Sequence, residues 1–143
     1  MFRIGTDGKL TAVITDLVNP NGLAFSPDEK KLYVVEVKGT PNRSIWSYDV
    51  GADNSLSNKA KLIDASDQGS PDGFRVDKDG NLWCGWGSNG ILQSEPAELH
   101  GLKVYLPKGK SEDLAFGGPK NNRLYMAACH SLYALYVEAH GAT

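Results

Sequence analysis

The stretch Asn19-Pro-Asn-Gly-Leu-Ala-Phe-Ser-Pro-Asp-Glu-Lys-Lys-Leu-Tyr33 has a pattern that occurs twice more in the chain. Polar residues lead into a short apolar strand, a turn follows, and a second strand opens with Leu and an aromatic residue. The same order is found in Ser70-Pro-Asp-Gly-Phe-Arg-Val-Asp-Lys-Asp-Gly-Asn-Leu-Trp83 and in Ser111-Glu-Asp-Leu-Ala-Phe-Gly-Gly-Pro-Lys-Asn-Asn-Arg-Leu-Tyr125. Asn21, Asp72 and Glu112 occupy equivalent places, 51 and 40 residues apart. Repeats of about 40–50 residues are typical of four-stranded β-propeller blades.

The rest of the chain also reads as short strands separated by turns. The runs are β-branched or aromatic and are bounded by Gly, Pro, Asn or Asp, and no apolar period of 3.6 residues lasts for the length of a helix. Asp7-Gly8 and Asp79-Gly80 predict tight turns between such runs. The fold class is therefore predicted as all-β. The predicted strands are residues 10–15, 32–37, 44–50, 61–64, 73–76, 82–86, 102–105, 114–116, 123–126 and 131–137.

The repeats predict about three four-stranded blades in one domain, residues 1–143. Closed propellers typically have about four to eight blades, and an arc of three would leave sheet edges exposed. Either two copies close a ring as a homodimer, which we favour, or the chain is half of a larger protein. The predicted repeats are a partial blade at 1–18 and blades at 19–68, 69–110 and 111–139.

Composition excludes several classes of protein. The 143 residues are 41% hydrophobic and 22% charged with a formal net charge of −2, so neither disorder nor electrostatic binding of nucleic acid is expected. No apolar run is long enough to span a bilayer, and no signal peptide is visible, so a cytoplasmic location is the default expectation. Cys84 and Cys129 are too few for a disulfide scaffold or a four-cysteine zinc site, and both are predicted to be buried thiols.

Three stretches resemble the gluconolactonase/regucalcin (senescence marker protein) family: NPNGLAFSPDEKKLYVVE, SPDGFRVDKDGNLWCGWGSNG and LAFGGPKNNRLYMAACHSLYALYV. The resemblance runs along nearly the whole chain but matches only the C-terminal half of the family. It implies a six-bladed propeller with the activity of a calcium- or zinc-dependent lactonase. Two copies of three blades would make this number.

The resemblance also implies a site. Asn21 and Asp72 match family positions that bind the metal, and Asp72 matches the general base, whereas a first-blade Glu and the substrate-holding Arg and Asn lie outside this chain. Glu112 is a candidate third ligand, and Trp86 a candidate substrate contact near the channel mouth. Carboxylate and amide oxygens suit Ca²⁺, with Zn²⁺ as the second choice. The open alternatives are that Asn21 and Asp72 are turn residues, Glu112 an exposed turn carboxylate and Trp86 a packing residue.

Two functions follow from these residues. The first is hydrolysis of a sugar lactone or related cyclic ester, in which a divalent metal polarises the carbonyl and Asp72 deprotonates the attacking water. The second is a non-catalytic half-propeller that binds a small ligand or a protein partner after losing the first-blade metal ligand. Neither reading involves nucleic acid or a membrane.

The acidic run at residues 77–81 and the short chain after Lys110 each predict a local feature of the fold. Asp77-x-Asp79-x-Asn81 begins like an EF-hand loop, but Leu82 stands where that loop needs Gly and no closing Glu follows, so a hairpin turn is predicted. Relative to the family pattern, little chain separates Lys110 from the third repeat. The sheet before it is therefore expected to lack its edge strand.

Overall fold

A computed structural model describes residues 1–38, 43–65, 69–87, 91–94, 103–104 and 112–142. These residues form strands and no helix, which confirms the all-β class, and in this part of the chain no helix is long and apolar enough to cross a membrane. The strands are β1 (Phe2–Ile4), β2 (Leu10–Ala12), β3 (Pro20–Phe25), β4 (Lys31–Glu36), β5 (Ser44–Val50), β6 (Leu56–Asp64), β7 (Phe74–Val76), β8 (Leu82–Gly85), β9 (Ile91–Ser94), β10 (Lys103–Val104), β11 (Asp113–Gly117), β12 (Arg123–Ala128) and β13 (Ser131–Tyr136).

The strands form four antiparallel sheets in which neighbours in the chain are neighbours in space. A hairpin of β1 and β2 is followed by sheets of β3–β6, β7–β10 and β11–β13. The expectation of a missing edge strand before the third repeat is wrong, because β10 pairs with β9 through Lys103↔Leu92 and Val104↔Ile91. Two residues are enough to complete this sheet.

The second strand of a sheet packs against neighbours on both of its faces. Along β4, Leu32 and Val34 enter the cluster next to the β1–β2 hairpin, whereas Tyr33 and Val35 enter the cluster shared with the following sheet. Alternate side chains of a strand point to opposite faces, so β4 belongs to two cores at once. The same holds for β8, whose Trp83 packs against the third sheet. The sheets are therefore stacked face to face.

This stacking brings the first strands of the three larger sheets side by side. Strand β7 contacts both β3 and β11. The beginnings of β7 and β11 are joined by a backbone hydrogen bond, in which the Gly73 N–H donates to the Glu112 carbonyl oxygen at 2.9 Å. We call β3, β7 and β11 the inner strands. The three equivalent positions of the sequence repeat lie at their beginnings.

The two cysteines have different environments. Cys84 is buried, as predicted, and burial raises the pKa of its thiol to about 12. Cys129 is exposed, so the prediction that it is buried is wrong. It lies in the two-residue turn between β12 and β13 with a φ of 48°, and this turn faces solvent.

The predicted hairpin turn between β7 and β8 is confirmed, and a buried carboxylate organises it. Asp77 is 0% exposed, and its Oδ1 accepts hydrogen bonds from the backbone N–H groups of Asp79 and Asn81 at 3.0 and 2.9 Å. Its Oδ2 accepts from Nε1 of the buried Trp83 at 2.8 Å. Gly80 has a φ of 90°, which a residue with a side chain rarely adopts.

We predict that Asp77→Ala lowers the free energy of unfolding by about 3 kcal/mol, because it leaves the Trp83 indole N–H and the turn amides without their acceptor. Asp79→Ala, in the same turn but exposed, is the control and should change it by less than about 0.5 kcal/mol. Urea unfolding of the two variants measures the difference. Equal losses would mean that the carboxylate does not organise the turn.

Candidate metal-binding and catalytic site

The two predicted metal ligands are in direct contact. Asn21 lies on β3, Asp72 lies just before β7, and the Asn21 side-chain nitrogen donates to Asp72 Oδ1 at 2.7 Å. Because an ionised carboxylate only accepts hydrogen bonds, this contact directs the amide nitrogen toward Asp72 and the amide oxygen away from it. The contact holds an amide next to a carboxylate, and the oxygens of these two groups are donors that a hard cation prefers.

Neither Asn21-Gly22 nor Asp72-Gly73 is a left-handed turn. Asn21 and Gly22 lie within β3, and neither Gly22 nor Gly73 has a positive φ. The ladder between β3 and β4 shifts register between Pro20 and Leu23, so the two residues form a bulge. A bulge re-aims the side chain that it carries, and here that side chain is Asn21.

Gly22 is needed for the close approach of the inner strands. A Cβ at this position would stand 2.4 Å from the backbone oxygen of Asp72, a distance at which real Cβ contacts do not occur. A Cβ on Gly73 would stand 2.2 Å from Asp113 Oδ1, so the Asp113 side chain would have to move. The residues that follow Asn21 and Asp72 are therefore part of the site's construction.

Asp72 is electrostatically disfavoured as a carboxylate. Burial raises its pKa above the ordinary value of 3.8, the hydrogen bond from Asn21 opposes this, and the negative charges of Glu112 and Asp113 raise it further. A carboxylate in such surroundings gains from binding either a proton or a cation. Both outcomes suit a group predicted to act as a base and as a metal ligand.

The third repeat brings two acidic residues toward this region. Glu112 is exposed, and its backbone oxygen is bonded to the Gly73 N–H. Sequence reasoning missed Asp113, whose Oδ1 lies over Gly73 and 3.7 Å from Nη1 of Arg75. Its position directly after Glu112, at the start of a strand, was the available signal.

The residues described fit a divalent cation only in part. Asn21 and Asp72 carry oxygen atoms of the type that binds a hard cation and lie in a region of negative charge, but among the described residues no three His, Cys, Asp or Glu side chains are grouped to hold a metal. The role of Glu112 as a ligand stays a prediction. So does the substrate contact of Trp86, which is 2% exposed in the core beneath the site.

Trp86 is held by a close contact with the chain before the second repeat. A Cβ on Gly69 would fall 1.8 Å from the Trp86 Nε1 atom, so the indole lies directly on the Gly69 backbone. This packing ties the end of β8 to the segment that leads into Asp72.

The inner strands also line an open cavity of about 310 Å³. Leu23, Phe25, Arg75 and Ala115 contribute to it, whereas Asn21 and Asp72 do not. Leu23 and Phe25 are 46% and 47% exposed. The candidate ligands and this cavity therefore lie at different positions along the same strands.

Comparison with known proteins identifies the family. Residues 1–130 match the family described as SMP-30/Gluconolactonase/LRE-like region, and the chain belongs to it. The gluconolactonase of Zymomonas mobilis is 30% identical over an alignment 160 positions long, which covers 99% of this chain and 41% of that protein. The chain thus spans under half the length of this relative, and the family expected from the resemblance of three sequence stretches is confirmed.

Solved structures agree with this assignment. The chain superposes on XC5397 of Xanthomonas campestris, described as a gluconolactonase, with a TM-score of 0.79 at 30% identity, covering 94% of this chain and 43% of that one. It superposes on a regucalcin of Agrobacterium tumefaciens, described as calcium-binding, with a TM-score of 0.80 at 24% identity, covering 94% and 51%. The second likeness shows the fold alone.

We predict that Asp72→Asn stabilises the metal-free chain at neutral pH. A carboxyl whose pKa is raised in the folded state binds its proton more tightly there than in the unfolded state, so stability falls as pH rises through the interval above 3.8. The Asp72→Asn variant has no carboxyl to titrate, so it does not lose stability over this interval. The difference in stability between the variant and the parent chain should disappear below about pH 4. Thermal unfolding in a chelator across this pH range is the measurement.

Asp28→Asn is the control for this prediction. The Ser26 hydroxyl and the Lys30 backbone N–H lower the pKa of Asp28, so its carboxylate favours the folded state at neutral pH and its amide variant should give no gain. If Asp72→Asn were no more stable than the parent at pH 7, Asp72 would not be disfavoured as a carboxylate.

Proposed function

We propose that this chain carries the metal-binding half of a lactone hydrolase, which opens a sugar lactone or related cyclic ester by attack of water. The contact between Asn21 and Asp72 at 2.7 Å carries the proposal. It unites two oxygen donors from different sheets in a chain whose family includes a gluconolactonase at 30% identity. This relative favours the hydrolase over a non-catalytic binding module.

In the proposed reaction Asp72 is the general base. It accepts a proton from the water that attacks the lactone carbonyl, and it returns this proton to the ring oxygen when the carbon–oxygen bond breaks, so a hydroxy acid is released. The raised pKa of Asp72 in the metal-free chain favours proton uptake by its carboxylate. Asn21 holds the Asp72 carboxylate in one orientation through the hydrogen bond to Oδ1.

A divalent cation bound at this pair would polarise the lactone carbonyl as a Lewis acid. Asn21 and Asp72 would hold it, with Glu112 as the proposed third ligand. We favour Ca²⁺ over Zn²⁺ because hard oxygen donors form the site, whereas zinc sites in proteins usually draw on Cys and His. This choice rests on donor chemistry.

We further propose that two copies close one ring. Each copy would supply the three blades 19–68, 69–110 and 111–139 in addition to the partial blade 1–18, and the three blades of two such arcs would equal the six expected of the family. The chain covers 43% and 51% of the two solved structures above, which supports this arithmetic. Large apolar side chains exposed on the first hairpin and the last sheet would be covered; they are Phe2, Ile4, Leu10, Leu132, Leu135 and Tyr136.

We predict that Asp72→Ala abolishes both Ca²⁺ binding, measured by calorimetry, and the hydrolysis of D-glucono-1,5-lactone above its spontaneous rate. Loss of a general base typically lowers a rate by about 10²-fold or more. Asp79→Ala, which removes an exposed carboxylate outside the site, should retain both properties. Unchanged, metal-independent hydrolysis by Asp72→Ala would remove Asp72 from the mechanism, and a parent chain without hydrolysis would leave the binding module as its function.

The proposed ring predicts a solution mass of twice 15.4 kDa by light scattering on a sizing column. Phe2→Glu and Leu132→Glu place a charge on the two exposed apolar ends and should reduce the mass to that of one chain. Lys78→Glu, in the exposed turn after β7, places a negative charge elsewhere and should leave the mass unchanged. A parent chain that runs at 15.4 kDa would contradict the two-copy ring.

A further inference from the structure

A buried carboxylate lies directly behind the strand that carries Asn21. Glu36 is the last residue of β4, is 2% exposed, and follows four buried apolar or aromatic residues. Its Oε2 accepts a hydrogen bond from the Val18 backbone N–H at 2.7 Å, and its Oε1 accepts from the N–H groups of Asn19 and Lys38 at 3.0 and 2.9 Å. The first stretch that carries the family resemblance ends at Glu36, but neither the resemblance nor the repeat pattern assigned this residue a role.

These hydrogen bonds hold the segment that leads into β3. Glu36 pairs with Pro20 in the ladder, and the Val37 N–H donates to the Asn19 carbonyl oxygen at 3.2 Å. The ladder then breaks and resumes only at Leu23, which pairs with Val34. The bulge that contains Asn21 is therefore supported on its N-terminal side by the Glu36 carboxylate.

A charged group is an uncommon choice for this place. Glutamate is almost never fully buried unless it is partnered, and burial of an unpaired charge is strongly unfavourable. Several backbone N–H donors converge on Glu36 and offset this penalty. These hydrogen bonds connect the end of β4 firmly to the loop that precedes β3. Neither water nor an apolar side chain would provide this connection.

We infer that Glu36 is a positioning residue: by binding the backbone of Val18 and Asn19 it fixes the bulge that carries Asn21, and so keeps the Asn21 amide against Asp72. Glu36 acts on the site through Asn21. The inference rests on the proposed function only where calcium binding is the readout.

A double-mutant cycle tests the inference. Glu36→Gln replaces one acceptor oxygen by an NH₂ group that faces N–H donors, so it should displace the loop. We expect it to raise the Kd for Ca²⁺ about tenfold or more, as loss of an outer-shell partner commonly does. In an Asn21→Ala background the same change should have no further effect, because the residue through which Glu36 acts is gone. Additive effects in the two backgrounds would overturn the inference.

The metal-free chain provides a readout that does not depend on calcium. The side-chain amide resonances of Asn21 should shift in Glu36→Gln, because the hydrogen bond to Asp72 is weakened. Asp77→Asn is the matched control: it alters an equally buried carboxylate with several N–H donors in a different turn, and it should lower stability without moving these resonances. Unchanged Asn21 resonances in Glu36→Gln would mean that Glu36 is structural only.

Two further outcomes are separable. If Glu36→Gln does not fold, Glu36→Asp keeps the charge on a shorter side chain and should shift the Asn21 amide resonances relative to the parent chain, whereas no shift would overturn the inference. If the parent chain binds no Ca²⁺, the proposed function fails, and the Asn21 resonances alone decide the role of Glu36.

Discussion

The structure depends on sheets that share their middle strands between two cores. Leu32 and Val34 of β4 pack toward the first hairpin, while Tyr33 and Val35 pack toward the next sheet. If a strand buried on both faces slipped by one residue, each of its side chains would move from one core to the other. This constraint sets the distance between neighbouring sheets, and with it the approach of their inner strands.

The approach of the inner strands leaves little room at the site. Gly22 lies against the Asp72 backbone, and Gly73 lies beneath the Asp113 carboxylate. The close contact places Asp72 among negative charges and partly out of water, which raises its pKa. A raised pKa means that folding disfavours the ionised form of Asp72, a penalty that functional sites commonly carry.

Two buried carboxylates hold the irregular backbone between these strands. Asp77 binds the turn after β7, and Glu36 binds the loop before β3. Each gathers N–H groups that no ladder satisfies, since backbone donors left without a partner in the interior are strongly unfavourable. The D-x-D-G-N pattern at residues 77–81 predicted the hairpin turn that Asp77 organises. The contact of Glu36 with Val18 and Asn19 could not be predicted, because only the pairing of β3 with β4 brings these residues together.

The amino-acid sequence by itself determined the all-β class and the hairpin turns, because strand periodicity, turn chemistry and repeated motifs are local properties of the chain. The resemblance of three stretches to a known family indicated the family and the candidate positions Asn21 and Asp72. Tertiary structure alone decided that Asn21 and Asp72 meet across 51 residues, that Asn21 sits in a bulge rather than a turn, and that Cys129 is exposed. It also placed Asp113 and Glu36 beside the site. Their positions depend on sheet stacking and register, which join residues that are distant in sequence.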